Sequence, residues 1–126
     1  MKDHIHFIEF KTKEELKKYY IASDIFVLPT REDIWGLVIN EAMANALPII
    51  TTNKCIAGLE LVKNGENGFI CHVDNAEEIA EKISLILNNQ ELFNNMSKNN
   101  ILKIKEYTIE KMAQEHVNIF NKIIQK

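Results

Sequence analysis

Apolar residues along this chain occur in two patterns, short runs and longer segments with helical spacing. The runs that predict strands are residues 5–10, 25–28, 48–51 and 69–73. Runs without polar alternation are typical of strands buried on both faces of a parallel sheet. A turn precedes the fourth predicted strand, and its two glycines, Gly65 and Gly68, can both adopt a positive φ.

Segments with apolar residues at i, i+3 and i+4 predict helices. At the start of the first, residues 13–22, Thr12 and Glu15 form the capping-box pattern. The other predicted helices are residues 36–46, 59–63, 75–88, 91–106 and 109–124. Asp74 or Asn75 is expected to cap the helix over residues 75–88. The apolar stripe of that helix consists of Ile79, Ile83, Ile86 and Leu87.

Strands that alternate with helices are typical of βαβ units in a parallel sheet, with helices on both faces. We therefore expect an α/β fold with a small parallel sheet of about four strands, flanked by helices and followed by a helical C-terminus. This is the arrangement of part of a Rossmann-like, doubly wound domain. No linker or repeat divides residues 1–126, which are predicted to form a single domain.

The loop after the second predicted strand carries candidate binding residues, because ligands of open α/β sheets bind beyond the carboxyl ends of the strands. The N–H groups of Gly36, Leu37 and Val38 begin the next helix, where they can face an anion. Glu41 lies one turn further on, where its carboxylate can accept hydrogen bonds from a vicinal diol. Asp33, before the helix, can accept from sugar hydroxyls. Phosphate beside sugar indicates a nucleotide or a nucleotide-sugar.

Each of these residues also has a structural explanation. Asp33 can cap the helix, since acids are favoured there, and Glu41 can be a solvated acid on an exposed face. Gly36 can serve close packing of helix on strand, and Trp35 can anchor the core. Because a single glycine at a helix start is a weak signal, these residues alone leave both interpretations open.

Composition and charge narrow the class of protein. At 126 residues, with 46% hydrophobic and 26% charged residues, the chain is long enough for a core and ordinary for a globular protein. The formal net charge of −3 disfavours a nucleic-acid binder. The first residues lack the apolar segment of a signal peptide, and no apolar run approaches the roughly 18 residues of a membrane span. The cytoplasm is therefore the expected compartment.

Cysteine and histidine positions predict no metal site. Cys55 and Cys71 lack metal-ligand spacing and are expected to be reduced and partly buried, with a disulfide or a metal pair as the alternative. The four histidines are expected at the surface near the start of the chain or in structural positions. They are His4, His6, His72 and His116.

Several runs resemble the C-terminal domain of retaining, nucleotide-sugar-dependent glycosyltransferases of family 4, which have the GT-B fold. These runs are residues 22–30, 33–44 and 47–52, with residues 58–62, 64–69 and 75–88 matching in order and spacing. The resemblance covers about residues 7–88. The combination of these runs is far more specific than any one of them.

The hallmark of this family is a pair of acids separated by seven residues, which falls here on Asp33 and Glu41. The resemblance implies that Glu41 binds the nucleotide ribose. It implies a catalytic position for Asp33, which would contact the donor sugar and support the developing oxocarbenium charge. Asp33 departs from the usual Glu and is one methylene shorter.

The resemblance also implies donor binding by Trp35 and by Gly36, Leu37 and Val38. The backbone of the last three would meet the donor diphosphate. The implied reaction transfers a sugar from a UDP-sugar or GDP-sugar to an acceptor hydroxyl with retention, without metal or other cofactor. The implied acceptor is a glycan or glycolipid of polysaccharide biosynthesis. We therefore expect the full-length enzyme in the cytoplasm or peripheral at the inner membrane face, with no nucleic-acid partner.

Regions that the family needs for catalysis have no counterpart in this sequence. These are the N-terminal domain, which holds most of the acceptor site, and the basic residues that hold the diphosphate. Arg31 is the cation near the motif. We expect a fragment of a larger transferase, inactive alone, whose partner is the missing N-terminal domain. Uncovered faces and an exposed strand at residues 5–10 predict self-association.

Two alternatives remain open at the level of sequence. One is a standalone nucleotide-sugar-binding or regulatory module without catalysis. The other is an unrelated flavodoxin-like domain, which is disfavoured because the first predicted strand lacks an acidic cluster.

Overall fold

A three-stranded parallel sheet lies at the centre of this computed structural model, which describes residues 2–125. The strands are β1 (Phe26–Leu28), β2 (Ile49–Thr52) and β3 (Gly68–Cys71), in the order β1-β2-β3. In the register, Ile50 of β2 pairs with Val27 of β1 and Phe69 of β3. All of β2 is buried because it pairs on both edges, whereas β1 is half-buried.

Helices surround the sheet in the order that the sequence predicts. They are α1 (Lys13–Ala22), α2 (Leu37–Ala44), α3 (Ile56–Leu61), α4 (Ala76–Leu87), α5 (Gln90–Ile104) and α6 (Ile109–Ile124), with a 3₁₀ turn at Lys2–His4. The bounds of α1 and α6 match the prediction. Helix α3 begins three residues earlier than predicted, because Gly58 lies inside it and lets it pack against the side chain of Thr51.

The predicted strand at residues 5–10 was wrong, so the sheet has three strands where about four were expected. This segment is irregular, and Phe7 and Phe10 are 95% and 94% exposed. A strand needs neighbours for its backbone hydrogen bonds. If residues 5–10 were the third strand of the classic doubly wound order 3-2-1-4-5-6, two other strands would separate them from the fourth. Residues 2–125 contain neither of those two strands, so residues 5–10 have no strand with which to pair.

The side chains of β2 divide the core into two clusters, one on each face of the sheet. Ile49 packs in a cluster with Tyr20, Met43 and other residues of α1, α2 and α3. Ile50 packs on the opposite face in a cluster with Ile86 and residues of β3, α4 and α5. Successive strand residues point to opposite faces, so both faces of the parallel sheet are covered.

Local predictions at the ends of helices had mixed outcomes. The capping box is confirmed, with Glu15 N donating to Thr12 Oγ1 and Thr12 N donating to the Glu15 carboxylate at 2.9 Å. Asn75 caps α4, whereas Asp74 precedes the cap with a φ of 60°. Leu87 was wrongly placed in the apolar stripe of α4, because it is 58% exposed at the last position of that helix.

The predicted turn before β3 uses a positive φ at Gly65, with φ 80°, but not at Gly68. Gly68 is the first residue of β3, where a Cβ would overlap the carbonyl oxygen of Ile49. The glycine is needed there for close approach of two strands, not for a left-handed conformation.

A buried pair of amides connects α5 to the loops around the sheet. Asn100 Nδ2 donates to Leu47 O at 2.7 Å and to Asn67 O at 2.9 Å. Asn67 Nδ2 donates to Asn100 Oδ1 at 2.9 Å and to Leu61 O at 3.0 Å. Both side chains are buried, and their mutual bonds satisfy polar groups that water cannot reach.

Helix α6 leaves apolar side chains such as Ile109 and Ile124 exposed to solvent. Between residues 2 and 125, no helix combines the length and the apolar character required to cross a membrane.

Candidate functional site

The candidate site lies beyond the carboxyl ends of β1 and β2, where the sequence predicts it. The loop after β1 is bonded to the loop after β2, since Asp33 N donates to Lys54 O at 3.1 Å and Ile56 N donates to Asp33 O at 3.3 Å. Ala57 N donates to Trp35 O at 2.9 Å. These bonds hold the segment that precedes α2 against the start of α3.

The Asp33 carboxylate closes its own loop, because Oδ1 accepts a hydrogen bond from Trp35 N at 3.1 Å. It does not cap α2, whose N-cap is Gly36 without a side-chain bond. Within the part of the chain that the structure describes, no donor contacts Oδ2 of Asp33. One oxygen of this half-buried carboxylate is therefore fixed and the other remains available to a ligand.

Gly36 has a left-handed conformation, with φ 78° and ψ 58°, at the start of α2. A Cβ at this position would lie 3.0 Å from Cys55 Sγ and 3.4 Å from Asp33 Oδ2. Both the conformation and the space therefore require glycine.

The first N–H groups of α2 point away from the helix and have no internal partner. Ile39 N donates to Gly36 O at 2.9 Å, whereas no acceptor from residues 2–125 contacts the N–H groups of Gly36, Leu37 or Val38. These three donors and the positive end of the helix dipole are the elements of an anion site. That an anion binds there stays a prediction.

Trp35 is not a core anchor, because it is 36% exposed. Its side chain lies in a groove between the start of α2 and helix α6. This groove has a volume of about 920 Å³ and is also bordered by Leu37 and Asn40. Its role in donor binding stays a prediction.

Glu41 lies on the exposed surface of α2, one turn after Leu37. It is not a free solvated acid, because Tyr20 of α1 donates its hydroxyl to Glu41 Oε2 at 3.0 Å. Burial, and then the hydrogen bond and the negative charge of Glu41, raise the pKa of Tyr20 to about 12. Tyr20 was absent from the sequence-based set of site residues. A tyrosine on the buried face of a helix needs a hydrogen-bond partner for its hydroxyl. This requirement was the feature of the sequence that could have identified Tyr20.

The two acids of the predicted motif border separate grooves. Asp33 borders one of about 420 Å³, and Glu41 borders another of about 460 Å³. The amino end of α2 lies between them in the chain. The structure therefore places the anion donors and Asp33 at the amino end of α2. Glu41 lies one turn further along the helix and borders a groove between α1 and the carboxyl end of α2.

A cation that the sequence analysis missed, Lys54, borders the same groove as Asp33. It is exposed, and it forms no ion pair with another residue of the described range. Arg31, the expected cation, is instead paired with Asp74 through an Nε–Oδ1 contact of 2.7 Å. Lys54 comes two residues after the end of β2, at the carboxyl edge where binding residues are expected.

Histidines and cysteines lie apart from this site. His72 N donates to Glu78 Oε2 at 2.9 Å, and this bond helps to lower the pKa of Glu78. The His116 ring nitrogen Nδ1 donates to Met112 O at 2.8 Å. Both cysteines are free and buried. Across residues 2–125, no group of three or more His, Cys, Asp or Glu side chains is arranged to hold a metal ion.

Sequence comparison relates this chain to glycosyltransferases. The family model for glycosyl transferases group 1 matches residues 1–103. An uncharacterized glycosyltransferase of Haemophilus influenzae is 38% identical over 116 residues, which cover 91% of this chain and 32% of that protein. The chain therefore spans about a third of the length of this relative.

Solved structures agree with this relation. Sucrose-phosphate synthase from Thermosynechococcus elongatus superposes with a TM-score of 0.87 and 26% identity, over 98% of this chain and 31% of that one. The C-terminal domain of a group 1 glycosyl transferase from Francisella tularensis gives a TM-score of 0.74 and 27% identity, over 83% of this chain and 53% of that one. This chain belongs to the glycosyl transferases group 1 family, and its fold is that of a C-terminal GT-B domain.

Proposed function

We propose that this chain is the donor-binding half of an enzyme that transfers a sugar from a nucleoside-diphosphate-sugar to an acceptor hydroxyl with retention of configuration. One observation carries the proposal. The start of α2 presents three N–H groups without partners among the described residues, and Asp33 and Glu41 lie on either side of them in the chain. Donors for phosphate at the start of α2 are thus flanked along the chain by two acceptors for sugar hydroxyls, one in the preceding loop and one in the second turn of the helix.

The donor diphosphate binds at the N–H groups of Gly36, Leu37 and Val38 in this proposal. The helix contributes the equivalent of about half a positive charge at that end, and Lys54 adds a full charge at the neighbouring loop. These groups offset the negative charge that grows on the diphosphate as its bond to the sugar breaks, so that no metal or other cofactor is needed.

The two carboxylates bind the sugars on either side of the diphosphate. Glu41 accepts hydrogen bonds from the ribose hydroxyls through the oxygen that Tyr20 does not contact. Asp33 faces the donor sugar with Oδ2 and stabilises the positive charge that develops at the anomeric carbon. For retention, the acceptor oxygen forms its bond on the face from which the diphosphate leaves, and the acceptor proton passes to an oxygen of the departing diphosphate.

Catalysis requires more of the protein than this chain. The chain spans about a third of the length of its relative from Haemophilus influenzae, and we propose that the rest of the whole protein supplies the acceptor site for a glycan or glycolipid. The isolated chain binds the donor nucleotide but transfers no sugar.

Titration of the chain with UDP and with GDP, followed by amide NMR, tests this proposal. One of the two nucleotides should shift the resonances of Gly36, Leu37 and Val38 in a saturable way. Glu41→Gln should weaken that binding about tenfold, because it removes a charged acceptor, whereas Glu91→Gln, at an exposed acid of α5, should not. Absence of shifts at the start of α2 with millimolar nucleotide contradicts the proposal.

A further inference from the structure

We propose that Tyr20 is a positioning residue that holds the Glu41 carboxylate in the orientation needed to bind the ribose, an inference that rests on the proposed function. The Tyr20 hydroxyl donates to Glu41 Oε2 at 3.0 Å across the contact between α1 and α2. The two residues are 21 positions apart in sequence, so packing of the two helices creates this contact.

The Tyr20 ring is fixed in place by the core. It is 9% exposed and packs against the ring of Phe26 in β1, with centroids 5.9 Å apart and the ring planes at 46°. Glu41, in contrast, is exposed at the surface of α2. A rigid donor thus restrains a side chain that would otherwise sample several rotamers in solvent.

The restraint leaves the carboxylate able to bind a ligand. An ionised carboxylate has about four acceptor positions on its two oxygens, and Tyr20 uses one position on Oε2. The remaining positions can accept from two vicinal hydroxyls. Because the rotamer is already restricted, less conformational entropy is lost when the ribose binds.

The chemistry of Tyr20 also suits this role. Its raised pKa, about 12, means that the hydroxyl keeps its proton and remains a donor throughout the neutral range. Glu41 borders a groove of about 460 Å³ between α1 and the carboxyl end of α2, so its carboxylate is accessible to a ligand. Charged groups that border this groove are Lys13, Glu14, Lys17 and Glu41.

The decisive experiment compares the affinity for a ribonucleotide with the affinity for its dideoxy analogue in two matched variants. Tyr20→Phe removes the hydroxyl and keeps the ring that packs against Phe26. Tyr19→Phe makes the same change at the neighbouring tyrosine, which is 41% exposed and outside the core clusters. For each protein, calorimetry or NMR gives the affinities for UDP, GDP and their 2′,3′-dideoxy analogues.

We expect Tyr20→Phe to weaken binding of the ribonucleotide about fivefold, the effect of one freed side chain, and to leave binding of its dideoxy analogue unchanged. Tyr19→Phe should change neither affinity. Equal weakening of both nucleotides would mean that Tyr20 acts only through the fold, and unchanged affinities would mean that it does not act at all. Either outcome overturns the inference.

The role of Glu41 is tested separately from the role of Tyr20. If Glu41→Gln loses the preference for ribose while Tyr20→Phe keeps it, the proposed function stands and the inference fails. If the parent chain shows no preference for ribose, or binds neither nucleotide, both fail.

A titration without ligand tests the contact itself. Glu41→Gln removes the negative charge and should lower the pKa of Tyr20, measured from tyrosine absorbance, while Tyr20→Phe identifies which titration belongs to this residue. An unchanged Tyr20 pKa in Glu41→Gln shows that the contact is absent in solution and overturns the inference.

Discussion

The middle of this chain buries apolar side chains in a core, whereas its two ends leave theirs exposed to solvent. From α1 to α5, apolar side chains pack into two clusters on the two faces of the sheet. Residues 5–10 and helix α6 instead expose theirs, with Phe7 at 95% and Ile124 at 80%. The core therefore lies within the middle region, whereas the ends present apolar surface for which the described residues provide no cover.

The difference explains why the candidate site can be well formed in a chain that spans about a third of its relative. Asp33, Gly36 and Glu41 are held by contacts within the middle region, through the loop after β2 and through Tyr20. None of these contacts involves residues 5–10 or α6. We therefore expect changes in the middle to alter folding and nucleotide binding, and changes at the ends to alter association.

The largest expected effect is on the buried amide pair of the middle region. Asn100→Ala leaves the carbonyl of Leu47 without a partner and removes one of two partners from the carbonyl and from the side-chain amide of Asn67. Each unsatisfied buried group costs about 1–3 kcal/mol, so we expect the free energy of unfolding to fall by about 3 kcal/mol. Urea unfolding followed by circular dichroism measures this loss.

The matched control for this change is Ser97→Ala on the same helix. Ser97 Oγ is buried and has no hydrogen-bond partner within residues 2–125, so its removal should leave the free energy of unfolding unchanged or raise it. A loss below about 1 kcal/mol in Asn100→Ala, or equal losses in both variants, would contradict the importance of the amide pair.

A smaller effect is expected at the glycine that begins α2. Gly36→Ala adds the strain of a left-handed residue and a Cβ placed 3.0 Å from Cys55 Sγ. We expect a loss of about 2 kcal/mol in the free energy of unfolding, of which about 1 kcal/mol is conformational strain. Affinity for the nucleotide should fall as well, because the new methyl group lies at the diphosphate site that we propose.

Gly65→Ala separates the two contributions to that loss. Gly65 has a similar φ of 80°, but a Cβ there would meet no atom within 4 Å. It should lose only the conformational part, about 1 kcal/mol, with unchanged nucleotide affinity. Equal effects in the two variants would show that the close approach at Gly36 has no consequence.

Sequence reasoning was most successful where structure depends on neighbours in the chain. Thr12 and Glu15 identified the start of α1, and the periodic pattern gave the bounds of α6. Placement of Asp33 and Gly36 beyond the carboxyl end of β1 followed from the general location of ligands in open α/β sheets. These features require only local geometry and the alternation of strands and helices.

Features that depend on distant partners were missed. The apolar pattern of residues 5–10 is that of a strand, but a strand forms only where neighbours accept its hydrogen bonds. Lys54 lies close to Asp33 because the loops after β1 and β2 are bonded together. The contact of Tyr20 with Glu41 depends on how α1 packs against α2. Sequence periodicity contains none of this information.

The smallest effect on folding is expected when exposed apolar residues are replaced by charged ones. The same change tests whether the apolar ends cause association. Phe10→Lys combined with Phe120→Lys changes one residue in the first segment and one in α6, which are 94% and 59% exposed. Because neither side chain is buried, the free energy of unfolding should stay within about 0.5 kcal/mol of the parent value. Apolar surface of this kind promotes association, so the parent should form dimers or larger oligomers and the double variant should dissociate.

Sedimentation velocity over a concentration series measures that shift. Asn95→Lys combined with Asn121→Lys is the matched control, because it adds the same charge at exposed polar positions of α5 and α6. The control should associate like the parent. A parent that stays monomeric at high concentration would show that the exposed apolar ends do not drive association. A double variant that loses as much stability as a core mutant would show that these side chains contribute to folding.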